Sequence, residues 1–294
     1  MEEKIKIDSN LCKKCKVCLE ICPNVIYEFK NDIIVTREER INLCFACGQC
    51  MAACAEMAIL VKGLSYEKDF YLMPEKSDHE KPFQQLIDSR RSVRAFKNKP
   101  IPKEELEKIV QAISQAPPSF PPLKTELIVV QNQDIIHWTL PLMITMYDEL
   151  MSGLKKPIPR FFIKRAMGKE KYLVVKNHLE PLLNIKLPSM KAGTEDAIMR
   201  KASAFILFHA DKNSENAEKD IYIALAFGLL KAQSLGIGAT VIDLIPPPIN
   251  RTRELKNILK VPEKNEVIAS MILGYPKYQY KRAIKRELKS VTWI

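Results

Sequence analysis

Cys12-Lys13-Lys14-Cys15-Lys16-Val17-Cys18-Leu19-Glu20-Ile21-Cys22-Pro23 and Cys44-Phe45-Ala46-Cys47-Gly48-Gln49-Cys50-Met51-Ala52-Ala53-Cys54-Ala55 repeat one spacing, C-x2-C-x2-C-x3-C. The two copies use all eight cysteines of the 294-residue chain. A duplication confined to one end marks a module of its own. Short apolar stretches beside the copies, Ile5-Lys6-Ile7 and Ile33-Ile34-Val35, read as strands. A thiolate is a soft ligand for iron, and four of them close the coordination of a cubane. In this spacing one tight loop offers three sulfurs to one cluster, and the fourth, next to a proline as in Cys22-Pro23, turns toward the other. Zinc would favour C-x2-C pairs separated by a longer loop, and disulfides an oxidising compartment. The start Met1-Glu2-Glu3-Lys4 has acid where an export signal has a basic region before an apolar core, so a cytoplasmic location is expected. The reading is therefore two [4Fe–4S] clusters with Cys12, Cys15, Cys18, Cys22, Cys44, Cys47, Cys50 and Cys54 as metal ligands.

The segment resembles the bacterial two-cluster ferredoxin module over roughly residues 4–62. Ala55 departs from the family's second proline without removing a ligand. The resemblance implies crossed ligation, with Cys12, Cys15, Cys18 and Cys54 on one cluster and Cys22, Cys44, Cys47 and Cys50 on the other. Residues 1–62 hold nine Lys/Arg and nine Asp/Glu, so the whole formal charge of +11 falls in the remaining chain. Four thiolates on a +2 core carry about −2, which would make the loaded module acidic.

Apolar residues make up 47% of the chain and charged residues 28%, values of an ordinary globular protein that exclude wholesale disorder. Nine glycines exclude collagen and argue against a glycine-rich phosphate loop. No apolar run approaches the roughly 18–20 residues that span a bilayer. Residues 63–82, with Gly63, Pro74 and Pro82 among mixed charges, read as a linker between a 1–62 module and an 83–294 domain. Beyond it the pattern predicts helices over 83–90, 103–116, 134–151, 160–180, 218–234 and 251–259, with interruptions at Gly153, Pro157 and Pro159. Strands are predicted over 127–130, 204–208, 239–244 and 267–273. Such an order makes an α/β or α+β core.

The second domain opens on Arg90-Arg91-Ser92-Val93-Arg94-Ala95-Phe96. Fixed guanidinium groups suit a phosphate, or a flavin ring that gains negative charge on reduction. This stretch, Ala116-Pro117-Pro118-Ser119, Leu235-Gly236-Ile237-Gly238-Ala239-Thr240, and Gly274-Tyr275-Pro276 followed by Lys281-Arg282 and Arg286 occur in the order and at about the intervals of the nitroreductase family, which residues 83–294 resemble. The resemblance implies an α+β FMN-binding fold with a central, mainly antiparallel sheet and surrounding helices, in a homodimer. It implies that Arg90, Arg91, Ser92 and Arg94 grip FMN, with Arg94 as the cation beside N1 and O2. It places Ser119 beneath the ring, Val241, Ile242 and Asp243 along it, and Arg282 and Arg286 at the phosphate. The family's Asn, Gln and Trp in the following loop are replaced by Pro121, Leu123 and Thr125. Gly236-x-Gly238 follows a helix and leads into a strand, so it is no dinucleotide fingerprint.

Residues 151–201 carry twelve Lys/Arg and four acids, a basic helical insertion. A solvated face, attraction of an anionic substrate and docking of an acidic electron donor all suit it. No nucleic-acid module is present in the pattern, and His137, His178 and His209 show no metal-ligand spacing. The combined expectation is an FMN-dependent, nitroreductase-like iron–sulfur flavoprotein oxidoreductase. It would pass electrons from ferredoxin or another low-potential donor through two [4Fe–4S] clusters to FMN and on to a small electrophilic acceptor, a nitroaromatic or quinone. Dehalogenase-like or flavin-consuming chemistry, and a non-catalytic redox carrier or sensor, are the alternatives.

Overall fold

A computed structural model describes residues 4–74, 78–119 and 125–294. The chain divides into two compact units, Met1–Asp78 and His79–Ile294.

The first unit contains β1 (Ile5–Ile7), α1 (Val17–Ile21), β2 (Tyr27–Lys30), β3 (Ile33–Thr36), α2 (Gln49–Ala53), β4 (Ile59–Val61) and the short α3 (Tyr66–Asp69). β1 pairs antiparallel with β4, Ile5 opposite Val61, and β2 pairs with β3. β2 and β4 were not expected from the sequence pattern. Each cysteine copy turns through left-handed backbone at matching positions 32 residues apart: Lys14 and Ala46, Lys16 and Gly48, Val25 and Met57, with φ between 50° and 77°. Five of these six are not glycine, so the conformation is imposed by the surrounding fold against a local penalty. Ile5, Ile26, Tyr27, Ile34, Met51, Ile59 and Val61 form the core around which the thiols gather.

The second unit contains α4 (Glu80–Ser89), α5 (Lys103–Ser114), β5 (Glu126–Val130), α6 (Gln133–Lys155), α7 (Pro157–Met167), α8 (Lys169–Val174), α9 (Glu180–Lys191), β6 (Ala204–Asp211), α10 (Ala217–Ser234), β7 (Gly238–Val241), α11 (Pro246–Arg251), α12 (Arg253–Leu259) and β8 (Asn265–Gly274). Its four strands form one antiparallel sheet in the order β5-β6-β8-β7. Side chains alternate between faces along a strand. Phe205 and Leu207 join the core under α6, α9 and α11, whereas Ala204, Ile206 and Phe208 join the one under α5 and α10. The central strand is thus buried on both faces, which is why Ala204–Ala210 reads as continuous apolar sequence apart from His209.

Helix α6 runs straight through Gly153, contrary to the predicted interruption. The break falls at Lys156, which is extended (ψ 136°) because it precedes a proline, and Pro157 then opens α7. The expected helix over 160–180 is divided at Gly168 and passes through a π turn over Val175–Leu179.

Segment 90–96 meets β7 at Ser92–Ala239 and the chain just after β8 at Phe96–Pro276. Val93 N–H donates to Ala239 O (3.1 Å), Lys97 N–H to Tyr275 O (2.8 Å) and Lys277 N–H to Ala95 O (3.0 Å). Gly238 and Gly274 face each other across the β7–β8 pair, and Val93 and Phe96 occupy the space their side chains would need. A Cβ at Gly238 would stand 2.7 Å from Val93 Cγ1, and one at Gly274 2.7 Å from Phe96 Cδ1. Gly274→Ala is expected to destabilise this unit by about 1–3 kcal/mol through overpacking, read as a drop of roughly 2–4 °C in Tm per kcal/mol. In the double variant with Phe96→Ala the losses should fall short of additive. An unchanged Tm for Gly274→Ala would contradict the close packing.

Candidate functional site

The edge segment carries a row of guanidinium groups. Helix α4 ends at Ser89, whose hydroxyl accepts from Gln233 Nε2 of α10 (3.2 Å), and the chain then turns extended at Arg90. Val93 and Phe96 point into the sheet, leaving Arg90 and Arg91 half-buried and Arg94 exposed. Burial, then Arg286, then Arg91 depress the Arg90 pKa, so three expected residues share one region. Arg91 Nε is buried without a partner. Ser92 offers its carbonyl to Tyr280 Oη (3.3 Å) and Arg94 Nη1 (3.5 Å). Arg282 lies exposed in the extended C-terminal segment with Arg286.

A second group joins Arg94 to Arg200, a residue that sequence reasoning counted only as part of the insertion's charge. Burial and then Arg94 lower the Arg200 pKa, despite opposing fields from Asp196 and Glu195. Arg200 and Lys201 both sit in left-handed backbone (φ 57° and 54°). The Asp196 carboxylate supports that turn by accepting from the N–H groups of Ile198 (3.1 Å), Met199 (2.7 Å) and Lys201 (2.8 Å). Arg200 Nε, like Arg91 Nε, is buried without a hydrogen bond. Like charges held together with unused donors suit an anionic ligand with charge at two places.

Ser119 N–H donates to Asp220 Oδ1 (2.7 Å), and both Ser119 Oγ and Asp220 Oδ2 are buried without a partner. Asp220 is 3% exposed. It stands in the first turn of α10, where the helix dipole favours an acid. Pro121 and Leu123 lie outside the described residues. Val241 ends β7 opposite Met271, and Ile242 is buried and exchanges hydrogen bonds with Ser270. Asp243 is exposed in the following turn. Its charge contributes to the raised pKa values of Tyr147 and Tyr222, for which burial is the larger cause.

In the first unit the cysteines line two cavities. One has Cys22, Cys44, Cys47 and Cys50 on its wall, and the other has Cys12, Cys15, Cys18 and Cys54, with Cys50 on the wall of both. All eight are free thiols. Burial, followed by the neighbouring Cys12 and Cys15, pushes Cys18 up to about 11. Tyr27 Oη donates to Cys50 Sγ (3.1 Å) and Ala58 N–H to Cys54 Sγ (3.3 Å). Among the described residues no three His, Cys, Asp or Glu side chains converge on a single-ion position.

Residues 87–275 match the Nitroreductase family. The chain belongs to this family. An FMN-bound nitroreductase from Bacteroides fragilis is 21% identical over 72% of this chain and 97% of its own, with a TM-score of 0.51. One from Desulfitobacterium hafniense gives the same identity, coverage and TM-score. The nitroreductase fold is thereby shared. Iodotyrosine deiodinase of Danio rerio is 21% identical over 209 residues, 70% of this chain. The chain spans 64% of the length of that relative. Both cysteine copies, Arg282 and Arg286 lie outside the matched residues. No helix among the described residues is long and apolar enough to cross a membrane.

The Arg90, Arg91 and Arg286 group is expected to bind inorganic phosphate in ligand-free protein. At ten times Kd, binding stabilises by about 1.4 kcal/mol, seen as a Tm rise beyond that given by chloride at equal ionic strength. Arg90→Gln and Arg286→Gln should each lose at least half of this excess. An equal excess in both variants and the parent would remove the group as an anion site.

Proposed function

We propose that the chain is an iron–sulfur flavoprotein oxidoreductase that passes single electrons through two [4Fe–4S] clusters to FMN and on to a small electrophilic acceptor such as a nitroaromatic or a quinone. The carrying observation is that one polypeptide holds two cysteine-lined cavities, which share Cys50, and a nitroreductase-family unit with two groups of guanidinium side chains.

The residues fit the cofactors. Left-handed backbone at Lys14 and Lys16, and again at Ala46 and Gly48, is of the kind that forms anion-binding concavities, which suits an anionic iron–sulfur cluster. Four thiols line one cavity and five the other, with Cys50 shared, so they surround space rather than a point, as a cubane requires and a single ion does not. The cavity walls also support the crossed ligand assignment. For FMN, Arg90, Arg91 and Arg286 would hold the phosphate, and Arg94 with Arg200 the pyrimidine edge. Backbone at Val241 and Ile242, with Ser119, would line the ring. When bound, the flavin supplies two-electron chemistry and the clusters one-electron supply.

This chain's own part is binding and electrostatics. Arg200, on the Asp196-supported turn, and Arg94, on the edge segment, would favour negative charge developing beside them. Asp220 holds the start of the loop after Ala116 by its bond to Ser119 N–H. No side-chain nucleophile is needed.

Ferredoxin or a similar low-potential protein is the proposed donor, since fused clusters would be redundant if NAD(P)H reduced the flavin directly. A homodimer is proposed because Tyr222, Ile223 and Phe227 of α10 and Tyr280, Leu288 and Trp293 of the C-terminal segment leave apolar surface open. The iodotyrosine deiodinase match favours a second reading, reductive dehalogenation of a haloaromatic on the same scaffold.

Protein purified without oxygen is expected to contain about eight iron atoms and one FMN per chain. It should turn over a nitroaromatic or quinone beyond its stored electrons when supplied with reduced ferredoxin. Turnover only of halogenated phenols would favour the second reading, and none beyond stored equivalents would make the chain a carrier. Arg90→Gln should weaken FMN binding about tenfold or more, given roughly 1.5–3 kcal/mol for a hydrogen bond to a charged group. Unchanged flavin affinity would remove Arg90 from the phosphate site.

A further inference from the structure

The duplication in the first unit relates each residue to one 32 positions on, so Cys18 corresponds to Cys50 and Tyr27 to Ile59. The left-handed backbone positions obey the same offset. The two halves differ in what meets the third cysteine of the opposite copy. Tyr27 Oη donates to Cys50 Sγ at 3.1 Å. In the symmetry-related place Ile59, an apolar side chain, lines the cavity that holds Cys18. Tyr27 is 2% exposed, so water does not stand in for its hydroxyl. Its ring packs with Ile5, Ile26, Ile34 and Met51, which fixes the phenol toward the sulfur. Cys50 also borders both cavities.

A hydrogen bond to a ligating sulfur stabilises the extra negative charge of the reduced cluster, and so raises its reduction potential. A duplicated module with equivalent surroundings would hold two clusters of similar potential. We infer that Tyr27 breaks this equivalence: its hydroxyl raises the potential of the cluster held by Cys22, Cys44, Cys47 and Cys50 and so biases the first electron toward it. Tyr27 touches a ligand and is a positioning residue, not a catalytic one. The Ala58 N–H to Cys54 Sγ bond on the other set comes from backbone and survives side-chain substitution there. The inference rests on the proposed clusters.

The test is an anaerobic redox titration of the iron-loaded full chain, followed by electron paramagnetic resonance, in the parent and in Tyr27→Phe. With iron content unchanged, one cluster of the variant should be about tenfold harder to reduce, about 59 mV for one electron, while the other keeps its potential. Site-specific 3-fluorotyrosine at position 27, a stronger donor of nearly the same shape, should shift the same cluster the opposite way. It decides the matter if Tyr27→Phe fails to hold iron. Iron-replete variants with both potentials unmoved, or with both moved equally, overturn the inference and leave the clusters standing. A folded, oxygen-protected parent without iron overturns the cluster reading and the inference with it.

Discussion

Two missing side chains, at Gly238 and Gly274, hold the site together. Because nothing projects from these facing positions of β7 and β8, Val93 and Phe96 can sink onto the sheet and the backbone of 90–96 can bond along its edge. With two apolar residues of the segment committed inward, Arg90, Arg91 and Arg94 remain on its open side. Arg286 from the C-terminal segment and Arg200 from the end of the basic insertion then complete two separate groups of positive charge. The sheet acts as a flat support, and the chemistry stands on what is laid across its edge.

The cysteine unit follows the same logic with different means. Its left-handed turns recur in both copies, although most of the residues concerned are ill suited to that conformation. Such a repeated local penalty persists where the surrounding structure over-determines it. The small core of Ile5, Tyr27, Ile34, Met51 and Ile59 and the β1–β4 pairing provide part of that support. A bound cluster would supply the remainder, because burial disfavours the thiolate form of Cys18 in one set and of Cys50 in the other until a cation accepts it.

The order of the main strands and helices of the second unit was legible in the sequence because it follows from short-range signals: an apolar period, a proline. The four main strands of the second unit lie within a few residues of their expected positions. The extension of α6 through Gly153 was not legible, since a glycine inside a well-packed helix costs only about 1 kcal/mol and tertiary contacts outweigh it. Arg200 was hidden because its role depends on meeting Arg94, more than a hundred residues away. Asp220 was hidden because an acid at the start of a helix has an ordinary local explanation. Tyr27 was hidden because its partner sulfur belongs to the other cysteine copy.

In the proposed function, iron-bound sulfur would carry negative charge in the first unit, and the guanidinium groups of the second would favour negative charge on a flavin. The most direct measurement is anaerobic rapid mixing of the holoenzyme with a one-electron donor, following the cluster and flavin absorbances together. The account predicts that cluster colour fades first and that flavin colour then fades with two electrons consumed per flavin. Flavin absorbance that stays constant while the clusters are fully reduced would contradict it.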